Sequence, residues 1–215
     1  MLHARALDSY LRLMADDPSR PAARPVRRRF LQLLAALERC GARYALCGAV
    51  AMGAHGVRRF SEDIDVLVEE GDLESLLAAL RRAFREVARE PAGARPAQVK
   101  LRARRARGPG AVDIDLLVPV DAAESWALES AVRGRTFGQR VDVVSLEALV
   151  VLKLRAACSE PESPAGAKHW ADVLALVRQT PVDVAALRRF LASDPALSAA
   201  LERALAAPAP KGRSR

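Results

Sequence analysis

Two short apolar runs of this chain carry paired carboxylates in the same grammar, Asp63-Ile64-Asp65-Val66-Leu67-Val68 and Asp113-Ile114-Asp115-Leu116-Leu117-Val118. Their β-branched, tightly clustered apolar residues predict strands, and residues two apart on a strand share a face. Asp63 and Asp65 therefore point one way and Ile64 the other, and the second run repeats the arrangement. If the strands are neighbours, three or four carboxylates converge on one side of a sheet. Two carboxylates about 5 Å apart repel by roughly 3 kcal/mol at an effective dielectric of about 20, so such a face calls for a cation or a shared proton. Oxygen donors without His or Cys favour Mg²⁺ or Mn²⁺ over Zn²⁺, and Mg²⁺ takes one or two carboxylates together with substrate phosphates. The pattern predicts phosphate chemistry. A single Asp-x-Asp also suits a solvated strand end, but two pairs set in apolar runs favour the metal.

Around these runs, strands and helices mix through the first two thirds of the chain, and helices alone follow. Residues 4–15 read as a helix and 16–25 as a polar, proline-bearing linker. Phe30, Leu33, Leu34 and Leu37 recur at i, i+3, i+4 and i+7 and predict a second helix, with Gly41 placed to end it. Residues 43–47 read as the first strand, feeding a short helix that opens at Gly48-Ala49 and runs through Ala54. Asp72 is expected to cap a helix whose stripe is Leu73, Leu76, Leu77, Leu80 and Phe84. The Pro-, Gly- and Arg-rich stretch 89–110 holds a strand around 98–104, and the second carboxylate strand spans 111–118. A helix over 122–131 and a strand over 140–144 precede helices at 145–157, 165–179, 182–192 and 195–206. The expectation is an α+β fold: a mixed sheet with flanking helices, then a C-terminal helical region. Its divisions are an N-terminal helix and linker (1–25), a core (26–144), the helical region (145–207) and a basic tail (208–215).

The chain's 215 residues, 51% of them apolar, suffice for one domain with a helical extension or for two small domains. No apolar stretch reaches membrane-spanning length and the amino terminus lacks a signal-peptide core, so a cytoplasmic location and no membrane partner are expected. Cys40, Cys47 and Cys158 are odd in number and lack C-x-x-C spacing, which argues against a disulfide framework and a zinc site. A net charge of +8, with basic clusters at 24–29, 102–107 and 211–215, suits a polyanionic partner such as RNA. Only four of the 34 basic residues are Lys, however, and a GC-rich coding bias produces that without selection for binding. Two Tyr and two Trp give no platform for stacking single-stranded bases.

The turn at Gly48-Ala49 joins a strand to a helix and offers backbone N–H groups with little steric cover, a setting that accepts phosphate. On its own it is also an ordinary tight turn; its weight comes from lying just upstream of Asp63. Lys153 sits among Leu149, Val150, Val151, Leu152 and Leu154, so it is a buried cation that requires a phosphate, a site carboxylate or a structural acid. Lys168 and Asp172 lie one helical turn apart and can pair locally. His55, at the end of the short helix, suits a structural hydrogen bond, and Trp126 and Trp170 suit core anchoring.

From Cys47 to Asp65 the order is a Gly-Ala turn, His55-Gly56, Arg58-Arg59, Ser61 and Asp63-Ile64-Asp65. This order resembles the signature of the polymerase-β-like nucleotidyltransferases. Asp113-Ile114-Asp115-Leu116-Leu117 resembles their third-carboxylate strand, and residues 141–153 are similar to the helix entry that follows. Abortive-infection toxin-type and small antibiotic nucleotidyltransferases are the groups most resembled, over roughly residues 43–178. The resemblance implies that Asp63, Asp65 and Asp115 are catalytic and bind Mg²⁺ or Mn²⁺, with Asp113 in support. It also implies nucleotide contacts from Gly48, Ala49, Arg59, Ser61 and Lys153. The implied activity moves a nucleoside monophosphate from an NTP to a hydroxyl on tRNA or another RNA, a protein or a small molecule. Two departures stand out. Ala49 replaces the usual Ser and removes a hydroxyl from the triphosphate site, which implies reduced activity, and His169 stands where the toxin-like group has an Asp. The alternative is a non-catalytic regulatory or toxin–antitoxin module of the same fold with a partner protein.

Overall fold

In the computed structural model, residues 23–57, 59, 63–90, 97–103, 113–136 and 139–208 are described. The expected helix at 4–15, most of the linker and the basic tail lie outside them. Helix α1 (Ala23–Cys40) forms on the stripe Phe30, Leu33, Leu34 and Leu37, and all four are buried. It absorbs the last residues of the expected linker, because Pro25 falls in the first turn, where a missing N–H breaks no helical bond. Gly41 ends it at φ 60°: its N–H bonds the Glu38 carbonyl at 3.2 Å and the Ala42 N–H bonds that of Leu37 at 3.1 Å, the paired bonds of a Schellman cap.

Strand β1 (Tyr44–Leu46) feeds α2 (Gly48–Ala54), and β2 (Asp63–Val68) follows. A 3₁₀ turn over Glu70–Asp72 leads into α3 (Leu73–Leu80). Asp72 stands at its amino end without capping it, because its Oδ2 accepts the Arg43 backbone N–H at 2.7 Å and ties the helix entry to β1 instead. The helix stripe expected to reach Phe84 stops at Leu80. Phe84 opens strand β3 (Phe84–Glu90), which pairs antiparallel with β4 (Ala97–Ala103). An apolar residue at i+4 fits either reading, and pairing with β4 decides it. Strand β5 (Asp113–Val118) precedes α4 (Ala122–Glu129), whose cap Asp121 accepts the Ala123 and Glu124 N–H groups. That helix ends two residues early, because an unexpected strand β6 (Val132–Thr136) pairs antiparallel with β7 (Gln139–Val143).

The seven described strands form one mixed sheet in the order β3-β4-β5-β2-β1-β7-β6, with β2/β5 and β1/β7 parallel. Ile64, Val66, Val68, Val99, Leu101, Ile114 and Leu116 share a core cluster with Phe30, Leu33 and Leu37 of α1 and Leu76 and Leu80 of α3. Each such side chain contributes about 1.5–3 kcal/mol by burial. Slipping β2 or β5 by one residue would turn these into the opposite face and put carboxylates in the core, so the register is strongly fixed.

The chain divides into two compact units, Met1–Leu149 and Val150–Arg215, with the division inside α5 (Leu146–Ser159). The second unit continues with α6 (Pro164–Gln179), α7 (Val184–Leu191) and α8 (Pro195–Ala206). Ser163, Asp183 and Asp194 cap these helices, accepting the N–H groups of Gly166, Ala186 and Leu197 at 2.9, 2.9 and 3.0 Å. A Cβ on Gly166 would fall on the Glu160 carbonyl, so α6 can begin this close to the end of α5 only with glycine there. Val173, Leu176, Leu187, Leu191 and Leu201 are buried in this unit. No described helix is long and apolar enough to cross a membrane.

Candidate active site

Strands β2 and β5 lie side by side with Asp63 opposite Asp113 and Asp65 opposite Asp115. Registered residues on neighbouring strands share a face, so the four carboxylates form a two-by-two block, while Ile64 and Ile114 are buried on the other side. Strand β4 pairs with the far edge of β5, with Arg102 opposite Asp113 and Lys100 opposite Asp115. The face is thus two rows across three strands: Arg102, Asp113, Asp63 and, next to it, Lys100, Asp115, Asp65.

The rows differ in how the charge is met. Arg102 grips Asp113 with two bonds, Nε to Oδ1 at 2.9 Å and Nη2 to Oδ2 at 2.8 Å, and so engages both oxygens. Lys100 Nζ stands 3.7 Å from Asp115 Oδ1, beyond hydrogen-bond range. That oxygen is buried and accepts no hydrogen bond. Burial pushes the Asp115 carboxyl above its ordinary pKa and the Asp63 and Asp113 charges add to the rise, against the opposing pull of Lys100 and a Gln98 hydrogen bond.

Gly48 closes the Asp65 end of the second row. It adopts φ 57°, and a Cβ there would fall on the Asp65 carboxylate, so the turn requires glycine for its conformation and for room. The Cys47 N–H donates to the Asp65 carbonyl at 2.9 Å and pins the entry of α2 to β2. Ala49 is buried in the first turn of α2. Arg59 is half-buried in the connection from α2 to β2, and Ser61 lies outside the described residues. His55, buried, donates from Nε2 to the Val144 carbonyl at 2.8 Å, a structural bond. In the second unit Lys153 is buried with its Nζ 3.1 Å from Asp172 Oδ2, so an acid on the next helix meets its charge. Asp172 turns to Lys153.

Among the described residues, no three His, Cys, Asp or Glu side chains are gathered into a ready metal cage. The donor set nevertheless suits a hard divalent cation. Asp115 Oδ1 is buried without a hydrogen-bond donor, on the same face as Asp63 and Asp65, and like charges are concentrated there. Sequence reading assigns no site role to Lys100 and Arg102: both lie in the strand expected around 98–104, and Arg102 counts in the basic cluster 102–107. Their signal was the period-two series Gln98, Lys100, Arg102, which becomes meaningful only once β4 is known to pair with β5.

A family model described as the nucleotidyl transferase AbiEii toxin of type IV toxin–antitoxin systems matches residues 29–210. The chain belongs to this AbiEii family. Among solved structures, it is similar to the antibiotic-resistance factor ANT(2'')-Ia, whose solution structure has 20% identity over 81% of this chain and 93% of that one, with a TM-score of 0.56. A crystal structure of ANT(2'')-Ia in complex with adenylyl-2''-tobramycin has 19% identity over 76% and 95% of the two chains, with a TM-score of 0.54. A candidate nucleotidyltransferase from Thermotoga maritima has 15% identity over 62% and 86%, with a TM-score of 0.50. No curated protein matches the chain. At these identities the structural likeness speaks for the fold, and the α+β nucleotidyltransferase fold is the one expected. AbiEii membership and this fold together support nucleotidyl transfer or a toxin–antitoxin role.

Proposed function

We propose that this AbiEii chain is a divalent-metal-dependent nucleotidyltransferase that moves a nucleoside monophosphate from an NTP to a hydroxyl acceptor, and that it acts as the toxin of a toxin–antitoxin pair. The carboxylate block, closed at Asp65 by the Gly48 turn, is the observation that carries this reading. Asp63, Asp65 and Asp115 would hold Mg²⁺ or Mn²⁺, because Arg102 already engages both oxygens of Asp113. Bound there, divalent ions would supply activation of the acceptor hydroxyl and neutralisation of the triphosphate and its pyrophosphate leaving group. Asp115 Oδ1, buried and without a donor, is suited to receive the hydroxyl proton. The Gly48 and Ala49 N–H groups, together with the Arg59 and Ser61 side chains, would contact the triphosphate, and Ala49 adds no hydroxyl to that set.

The acceptor is an RNA, a protein or a small molecule. The +8 charge suits RNA, whereas the tobramycin adduct bound by ANT(2'')-Ia directs attention to small hydroxylated cations. Incubating the full chain with each labelled NTP, Mg²⁺ and total RNA, protein extract or an aminoglycoside should transfer label to one acceptor, and Asp63→Ala should abolish the transfer. No transfer to any acceptor, together with no Mg²⁺-dependent NTP binding, refutes the proposal.

A further inference from the structure

The two rows of the carboxylate face are equivalent in backbone register yet opposite in chemistry. Asp113 stands beside Asp63 as Asp115 stands beside Asp65, so a divalent cation meets two similar carboxylate pairs one strand-step apart. In one row a guanidinium occupies both oxygens of the β5 acid, and in the other an ammonium at 3.7 Å leaves Oδ1 open. Arg and Lys are not interchangeable in this arrangement, since only the planar fork can engage two oxygens at once. Arg102 is 43% exposed at its side chain and Asp113 9%, so the grip offsets the burial of the Asp113 charge and at the same time takes both of its oxygens away from a cation.

We propose that Arg102 is a positioning residue that sequesters Asp113 and thereby selects Asp115 as the β5 ligand. This rests on the metal-dependent reading above. With the guanidinium in place, the Asp63–Asp113 pair carries its own cation and does not compete. Without it, Asp113 becomes a second ligand of the same strand, face and charge.

Mn²⁺ binding to the full chain, followed through the electron paramagnetic resonance of the free ion, tests this without any need for turnover. Asp115→Asn should weaken binding by at least about tenfold, the loss expected for one negative charge beside a divalent ion. Arg102→Gln in that background should restore most of the loss, because the freed Asp113 takes over, and adding Asp113→Asn should remove the restoration. A merely structural Arg102 would give no such rescue. If Arg102→Gln/Asp115→Asn binds Mn²⁺ no better than Asp115→Asn, the sequestering role is overturned. If wild type binds Mn²⁺ and Asp115→Asn changes nothing, the selection of Asp115 is overturned while the metal reading stands. If wild type binds no Mn²⁺, both fall. Should circular dichroism show that Arg102→Gln unfolds the chain, Arg102→Lys releases one Asp113 oxygen and should restore part of the loss. No restoration there overturns the proposal equally.

Discussion

Replacing Gly48 by Ala imposes two separable costs. A residue with a Cβ at φ 57° costs about 1–2 kcal/mol. The new methyl also falls on the Asp65 carboxylate, which must leave its rotamer at a cost of about 0.5–1.5 kcal/mol. The sum is about 1.5–3.5 kcal/mol. Gly41 is a natural control, since it has φ 60° and nothing within 4 Å of a built Cβ, so Gly41→Ala incurs the backbone cost alone. Urea unfolding followed by Trp126 fluorescence in a Trp170→Phe background reports the first unit, because the chain has two Trp and Trp170 lies in the second. Gly48→Ala should exceed Gly41→Ala by about 1 kcal/mol. In an Asp65→Ala background the excess should nearly vanish, since of the three nearest atoms only the residue-65 Cβ remains, at 3.1 Å, which a small shift relieves. Mn²⁺ affinity should fall in Gly48→Ala and stay unchanged in Gly41→Ala. Equal stability losses in the two glycine variants, or an excess that persists without the Asp65 carboxylate, would refute the reasoning.

Asp172→Asn strands the Lys153 ammonium in a site where the two side chains are 9% and 7% exposed, and should cost about 3–5 kcal/mol in thermal or urea unfolding. Lys153→Met/Asp172→Leu should recover most of that loss, and a single-variant cost below about 1 kcal/mol would mean that the pair behaves as a surface one. Burial pushes the Tyr44 phenol up to about 12. The folded state therefore holds this proton more tightly than the unfolded chain. The associated stability is complete below the unfolded value near ~10 and is lost as pH rises through about 12. In a Tyr10→Phe background the phenolate absorbance should rise near pH 12, and Tyr44→Phe should flatten the loss of stability over that window. A rise near pH 10 would show that Tyr44 is not held this way.

The sequence was most readable where one local pattern left one solution. Phe30, Leu33, Leu34 and Leu37 admit only a helix, Gly41 ends it with a left-handed cap, and alternation fixes which sides Asp63 and Ile64 take. What stayed hidden depends on partners distant in the chain. Phe84 fits a helix at i+4 from Leu80 and fits a strand equally well, and only antiparallel pairing with β4 chooses. Strand β6 is Val-Arg-Gly-Arg-Thr at the end of the sheet order, with a single apolar side chain and a glycine, so periodicity gives no signal for it. Asp72 has the right type and place for a cap, yet its carboxylate goes to Arg43, a residue 29 positions away. The site follows the same division. The four carboxylates and the Gly48 turn were legible, whereas Lys100 and Arg102 acquire meaning only from the register of β4 against β5.

That register also explains why the face exists at all. A fold selected for stability alone would fill positions 113 and 115 of a strand beside β2 with apolar residues, as it does at Ile114 and Leu116 on the opposite side. Instead it buries two acids next to two more. Replacing a buried ion pair by apolar residues of similar size is often neutral or stabilising, so Arg102 offsets the cost of Asp113 without supplying a reason to keep it. Asp115 is not even offset to that degree, since Lys100 stops short of a hydrogen bond and burial leaves the carboxyl with its pKa raised. An arrangement that folding disfavours in one row and merely compensates in the other is what the proposed metal ligation would require, since a cation needs the negative charge. Asp115→Asn should therefore raise the stability of the first unit at neutral pH while weakening Mn²⁺ binding, because it removes the desolvated charge and the donor together. The same urea titration through Trp126 reads the first effect, and a variant less stable than wild type would show that the Asp115 charge is already satisfied within the fold.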